Sequence, residues 1–288
     1  MYLFVIILKL PFIKNKTHPQ LKLIYSLLFI IIIVLFLFLS IFNPFSPNTF
    51  PDSVLPNPNI TTIPTTSTPQ PENLSFLNRN FQYYFLKIKS NQTLSLIPNF
   101  SNRQTSSAII KDNQCLFGIN GGFYHPNNTP LGLFVINGQQ LGQYTSSPTF
   151  SGFLTKNQNN QISIQNIDPD NPDLLKNYQF ILQSGPLFDP INNPNPIFSD
   201  SEYARRHLIA QDTEGNLYLF SIFEKGAAFG GPRLKDIIPI FQSPQFSQIA
   251  NFTKILNLDG GTASAFFNQN IKVEELQFAG SFLCGKAS

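Results

Sequence analysis

From about residue 76 onward, apolar residues come in short runs broken by Asn, Gly and Pro, a rhythm of strands rather than helices. Residues 81–89 and 93–97 read as two strands joined around Asn91-Gln92, and 115–119 as a strand that feeds Asn120. Residues 133–136 and 139–141 flank Asn137-Gly138, the dipeptide that suits a type I′ hairpin turn. Strands follow at 150–154 and at 161–167, and the apolar segment 178–188 holds another, ending in the polar-plus-glycine unit Gln183-Ser184-Gly185. Residues 203–210 carry two arginines and a histidine into a strand, with 216–222 as hairpin partner across Thr213-Glu214-Gly215. Residues 232–241 have helical spacing, with Pro232 acceptable in a first turn and Pro239 limiting the length. A buried strand at 255–258, a short run at 265–267, a turn at 268–270 and closing strands complete the chain. Many short strands and few helices predict an antiparallel-rich α+β domain, a mixed sheet structure.

The N-terminal part follows another pattern. Residues 23–42 carry no charge and are long enough to span a bilayer core as a helix. Lys9, Lys14, Lys16 and Lys22 precede them, and the first charge beyond is Asp52. The positive-inside bias then puts residues 1–22 in the cytoplasm and everything after the helix outside. A cleaved signal peptide is the rival reading, but its apolar region is normally shorter and followed by a small-x-small site, which the sequence lacks. The expectation is a single-pass anchor in the cell membrane. Residues 43–75, rich in Pro, Thr and Asn, cannot bury a core and read as an extended stalk, leaving 76–288 as the folded domain.

Composition narrows the chemistry. The formal net charge is +3, and without the four N-terminal lysines 15 basic residues face 16 acidic ones. That balance has no nucleic-acid footprint. Trp is absent while Phe numbers 30, so stacking on a sugar falls to Tyr or Phe. Three histidines and two distant cysteines argue against a zinc site, and no cofactor is expected. An oxidising compartment permits a bridge between Cys115 and Cys284, which would tie an early strand to the last segment. The nucleotide-binding glycine motifs, His-Glu-x-x-His and Gly-x-Ser-x-Gly are all missing.

What remains is a set of strand ends. Asp259-Gly260-Gly261 closes one buried strand and is followed by the hydroxyls of Thr262 and Ser264; Asn120-Gly121-Gly122 closes another in the same way. Paired glycines let a backbone turn tightly, and free N–H groups there form an anion-binding concavity. Gln183-Ser184-Gly185, Arg205-Arg206, His125 and His207 complete the candidates. Duller roles stand beside these: an ordinary Asp-Gly turn, a solvated His125 beside Pro126, and a Gln183 that only satisfies backbone groups. Arg205 and Arg206 alternate across a strand, so at most one faces a pocket.

Taken in order, Asn120-Gly-Gly-Phe123, Pro130-Leu-Gly-Leu133 with its downstream Asn-Gly hairpin, Gln183-Ser-Gly-Pro186, the arginine-bearing strand and Leu256-Asn-Leu-Asp-Gly-Gly261 resemble the phosphodiester glycosidase family. The resemblance covers roughly residues 80–285. It implies hydrolysis of a sugar-1-phosphodiester, with an envelope or exopolysaccharide-type glycan as substrate. It also implies Asp259, Arg206 and Asn120 as catalytic candidates, to which the reading of the residues alone adds His125. Gly121, Gly122, Gln183, Ser184, Gly185, Gly260 and Gly261 would bind substrate, and the hydroxyls of Thr262 and Ser264, read from the residues alone, join them. Arg206 is preferred to Arg205 because Arg-x-x-Ile-small, Arg206 to Ala210, fits the family pattern. Thr262-Ala263-Ser264 departs from that pattern and leaves open which hydroxyl takes the expected place. In this reading Arg206 and the glycine amides hold the anion, and Asp259 faces the sugar as nucleophile, base or electrostatic stabiliser. A second carboxylate, common in glycosidases, stays open among Glu202, Asp212 and Glu224. A non-catalytic glycan-binding module of the same fold and a structural domain on a stalk are the alternatives.

Overall fold

The computed structural model describes residues 70–169, 175–193 and 202–288. The expected anchor and residues 43–69 of the expected stalk lie outside them. No helix among the described residues is long and apolar enough to cross a membrane.

Three antiparallel sheets form the domain. The first orders β1 (Glu72–Phe76), β2 (Arg79–Lys87), β12 (Leu217–Glu224), β11 (Arg206–Asp212), β13 (Phe252–Asn257) and β10 (Leu187–Phe188). The second orders β15 (Ile271–Val273), β14 (Phe266–Asn268), β4 (Phe117–Asn120), β16 (Ser281–Ala287) and β3 (Gln92–Pro98). The third orders β6 (Gln139–Gly142), β5 (Phe134–Ile136), β9 (Tyr178–Ser184), β7 (Gly152–Asn157) and β8 (Ile162–Gln165). Helices are short: α1 (Ser106–Asp112), α2 (Ile237–Phe241) and α3 (Pro244–Ser247).

The sheets explain the sequence pattern. On β11, Leu208 and Ala210 face the core that the first sheet shares with α2 and α3, while Ile209 faces the central core between the sheets. On β13, Ile255 and Leu256 divide in the same way. With both faces covered, these strands read as continuous apolar runs rather than alternating ones. Phe220, fully buried in the first of those cores, is worth roughly 2–3 kcal/mol relative to exposure.

The Asn137-Gly138 hairpin forms as expected, with positive φ at both residues. The strand end expected at Gln183-Ser184-Gly185 is found, since β9 stops at Ser184; beyond the cis Gly185-Pro186 bond, β10 pairs with β13 in the first sheet. Two features differ from the sequence pattern. β2 and β3 do not form a hairpin: β2 joins the first sheet beside β12, and β3 joins the second beside β16. β1 starts at Glu72, inside the stretch read as stalk, because Leu74 adds to the core. The helix α1, which local pattern did not mark, is capped by Thr105, whose side chain accepts from the Ala108 N–H at 3.3 Å.

Cys115 and Cys284 form a disulfide. It fastens the chain before β4 to β16, closing a loop with a sequence separation of 169. Loop closure of that size removes unfolded-state freedom worth roughly 3–5 kcal/mol. The double variant Cys115→Ala, Cys284→Ala is therefore expected to unfold at a clearly lower urea concentration. An unchanged midpoint would show that the bridge adds nothing.

Candidate active site

The ends of β4, β9 and β13 and the start of β11 meet at one edge of the domain. Antiparallel pairing of β11 with β13 requires it, since the Leu258 N–H donates to the His207 carbonyl at 2.8 Å just beyond the ladder. The Asp259 N–H then reaches across to the Gly121 carbonyl at 3.0 Å. Gly122 packs against β9, where an added Cβ would come within 3.1 Å of the Gln183 carbonyl. Gly260 passes so close to Arg205 that a Cβ would stand 2.5 Å from its carbonyl oxygen. Glycine is required at position 260, where backbones touch, and position 122 is a tight crossing.

Asn120 is the fastener at the centre. Fully buried, it donates through Nδ2 to the Asp259 carbonyl at 2.7 Å and the Gly121 carbonyl at 3.2 Å. Its Oδ1 accepts from the Ala265 N–H at 3.0 Å and from His207 Nδ1 at 2.5 Å. Since Oδ1 can only accept, His207 carries its proton on Nδ1, and Nε2 accepts from the Ser221 hydroxyl at 2.9 Å. Burial, with the Arg205 charge nearby, holds His207 well below the usual histidine range, so it stays neutral. Asn120 and His207 thus position the Asp259 turn.

Asp259 itself is half-buried. Its carboxyl has no ion pair among the described residues, and burial pushes it up to about 7, opposed only by the Gly260 N–H. Although part of the residue is open to solvent, the protein crowded round the carboxyl sets its charge state. Tyr124 stands close enough that burial and the Asp259 charge both raise its phenol. The Tyr124 hydroxyl donates to the Phe278 carbonyl at 2.9 Å, and the two rings pack at 5.1 Å. Phe123 and Phe150 pack edge to face at 5.3 Å nearby. The Asp259 carboxyl thus lies close to Tyr124, whose ring is backed by Phe278.

Several expected roles change. Arg206 turns to the other face, where it donates to the Pro232 carbonyl at 2.9 Å and the Glu202 carbonyl at 2.8 Å. Arg205 is the arginine beside the Asp259 turn, but it bonds Ser264 Oγ at 2.5 Å, the Ser264 carbonyl at 2.6 Å and the Glu274 carbonyl at 2.8 Å. Burial lowers Arg205 to about 10, with Glu275 opposing the shift. Both arginines therefore clamp loops. His125 sits exposed in a turn closed by the Asn128 N–H to its carbonyl, and its neighbour Tyr124 takes the inner position.

The other polar candidates are largely structural. Gln183 spends its amide on four backbone groups, of Leu133, Thr145 (twice) and Phe150. The Ser184 hydroxyl donates to the Asn257 carbonyl, and the Asn257 amide to the carbonyl of Gly185. Thr262 Oγ1 bonds Gln277, and the Ser264 hydroxyl bonds the Gly261 carbonyl. The Gly121 and Gly261 amides are used inside the fold, donating to Ser281 and Arg205 carbonyls, whereas the Gly122 amide bonds no described group. Gly261 faces open space with φ +59. Among the proposed second carboxylates, Glu224 pairs with Arg79 at 2.6 Å. Asp212, at the far end of β11, ties its own turn and is held below the usual carboxylate range by Asn216, Tyr218 and Glu214, despite burial. Glu202 lends its carbonyl to Arg206. No cluster of His, Cys, Asp and Glu among the described residues could hold a metal ion.

Sequence reasoning missed Tyr124 and Phe278. The signal for Tyr124 was present in the Gly-Gly-Phe-Tyr run; Phe278 lies in a loop with no local mark.

The fold is that of the zebrafish N-acetylglucosamine-1-phosphodiester alpha-N-acetylglucosaminidase catalytic domain, auto-inhibited by its pro-peptide in that structure. The TM-score is 0.56 at 13% identity, covering 76% of this chain and 84% of that one. A hypothetical protein from Synechocystis matches with TM-score 0.50 at 16% identity, over 76% of this chain and 61% of that one. No curated protein matches the sequence. Residues 113–281, more than half of the chain and including β4, β9, β11, β13 and both Gly-Gly turns, match the phosphodiester glycosidase model, and the chain belongs to that family.

Proposed function

We propose that this domain hydrolyses the bond between a sugar's anomeric carbon and a phosphodiester, releasing the sugar and a phosphomonoester. One observation carries the reading: the Asp259 carboxyl, without an ion pair among the described residues and close to Tyr124, is pushed by burial up to about 7. In the reaction a water oxygen bonds the anomeric carbon, the carbon–oxygen bond to phosphate breaks, and the phosphate departs with the electron pair. The departing monoester has a second pKa near ~6 and leaves without a donated proton. The chemistry therefore needs a base for water more than an acid. A carboxylate raised towards 7 by burial is a stronger base than an ordinary one. Asp259 takes the water proton in this account, and Asn120 and His207 hold it in place. The Gly122 amide faces the anion; Tyr124 and Phe278 flank the sugar. The substrate class is an envelope or exopolysaccharide-type glycan, reached from a membrane anchor at residues 23–42.

The test is sugar release from a sugar-1-phosphodiester by the purified protein. Asp259→Asn is expected to lower kcat by at least about a thousandfold, within the range known for loss of a general base. Because the carboxylate is the working form, kcat/KM of the native protein is expected to fall as pH drops through about 7. A rate that instead rises below pH 7 would assign Asp259 as an acid. Binding without turnover at any pH would favour the glycan-binding module.

A further inference from the structure

With Arg205 and Arg206 both committed to backbone carbonyls, the cation available to an anionic ligand lies elsewhere. Arg103 is exposed, and no carboxylate pairs with it among the described residues. Its guanidinium packs over the Phe278 ring at 5.8 Å, and Phe278 in turn packs against Tyr124, the neighbour of Asp259. Two features show that this placement is built. Arg103 has φ +49, a left-handed conformation that few non-glycine residues adopt. The loop carrying it is tied at its base by Asn99, 1% exposed. Asn99 bonds the Gln104 N–H at 2.8 Å and the Gln104 carbonyl at 2.9 Å within the loop. It also reaches the segment carrying Phe278, bonding the Ala279 carbonyl at 2.8 Å and, through its own N–H, the Gly280 carbonyl at 2.8 Å. Asn99 therefore ties the loop that carries Arg103 to the segment that carries Phe278.

Resting on the glycosidase reading above, we infer that Arg103, stacked on Phe278, forms an outer anion subsite that binds a second negatively charged group of the substrate, beyond the sugar flanked by Phe278. The substrate class this favours is a polyanionic glycan, such as a chain of sugar phosphates, over a small diester whose scissile phosphate is its only charge. Arg103 is a specificity residue in this account: a guanidinium packed on a ring is pre-organised, and its free N–H fork suits a phosphate or carboxylate.

The experiment compares the full-length native protein with Arg103→Gln and Arg103→Glu on two substrates: a methyl sugar-1-phosphate diester and a sugar-phosphate oligomer. Arg103→Gln is expected to raise KM for the oligomer about tenfold, the loss of one charge-assisted contact, and Arg103→Glu to raise it further. Turnover of the methyl diester stays at the native level in both. Equal KM on the oligomer, or equal rises on both substrates, overturns the subsite. Titration of the oligomer into Asp259→Asn, with and without Arg103→Gln, reads binding apart from catalysis. If the native protein cleaves neither substrate, the glycosidase reading fails, and this titration still decides the subsite: Arg103-dependent affinity upholds it, absent or unchanged affinity sinks it.

Discussion

Asp259→Asn is expected to stabilise the protein at pH 8 while removing its turnover. Burial raises the folded-state pKa of Asp259 from 3.8 to about 7. The folded protein therefore holds the proton more tightly than the unfolded chain, and native stability declines as pH rises from about 4 through about 7. Above pH 7 the whole penalty is present. The shift corresponds to about 4 kcal/mol, and because the residue is partly open to solvent the realised cost is nearer 2 kcal/mol. Asparagine has nearly the same shape and no charge to desolvate, so the variant escapes the penalty. Urea unfolding at pH 4 and pH 8 should show native and variant nearly equal at the lower pH and the variant more stable at the higher. A variant less stable at pH 8 would mean the carboxylate has a stabilising partner, and the base assignment would lose its physical footing. An active site commonly carries such a conflict between stability and chemistry.

Asn120→Ala should produce the largest loss of stability among single changes at this edge. It removes four hydrogen bonds and leaves His207 Nδ1, the Ala265 N–H and the Asp259 carbonyl without a partner in a fully buried place. Each orphaned group costs about 1–3 kcal/mol, so a total of roughly 4 kcal/mol is expected. Asn120→Asp is informative beside it: a carboxylate there still accepts from His207 and Ala265 but cannot donate to the Asp259 carbonyl. It should fold better than alanine yet turn over poorly, because the Asp259 turn is no longer held. Urea midpoints and kcat for both variants check this. If Asn120→Ala melts within about 1 kcal/mol of the native protein, the fastening role is refuted.

The fold class and the strand ends were open to sequence reasoning for concrete reasons. Asn137-Gly138 announces a hairpin because few other pairs tolerate positive φ twice in succession. The glycines after Asn120 and Asp259 mark turns because side chains would strike Ser281 and Arg205 there. The cysteines could be paired because only two exist. The pairing of β2 and β3 was out of reach, since adjacent strands look alike whether they join or separate between layers.

Local chain properties, namely alternation, turn chemistry and residue counts, were thus sufficient to mark out an antiparallel α+β domain and a cluster of candidate strand ends. They could not say where each polar group points, because that depends on partners far away in the chain. Arg205 rather than Arg206 lies beside the Asp259 turn because β11 meets Ser264 and Glu274 on that face. Asn120 and Gln183 become fasteners because carbonyls and amides from other loops converge on them. Tyr124 supersedes His125 because only one of the two neighbours can turn inward to meet Phe278. The raised pKa of Asp259 is the plainest case: the carboxylate is encoded at one position, but the desolvation that makes it basic comes only when remote segments close around it.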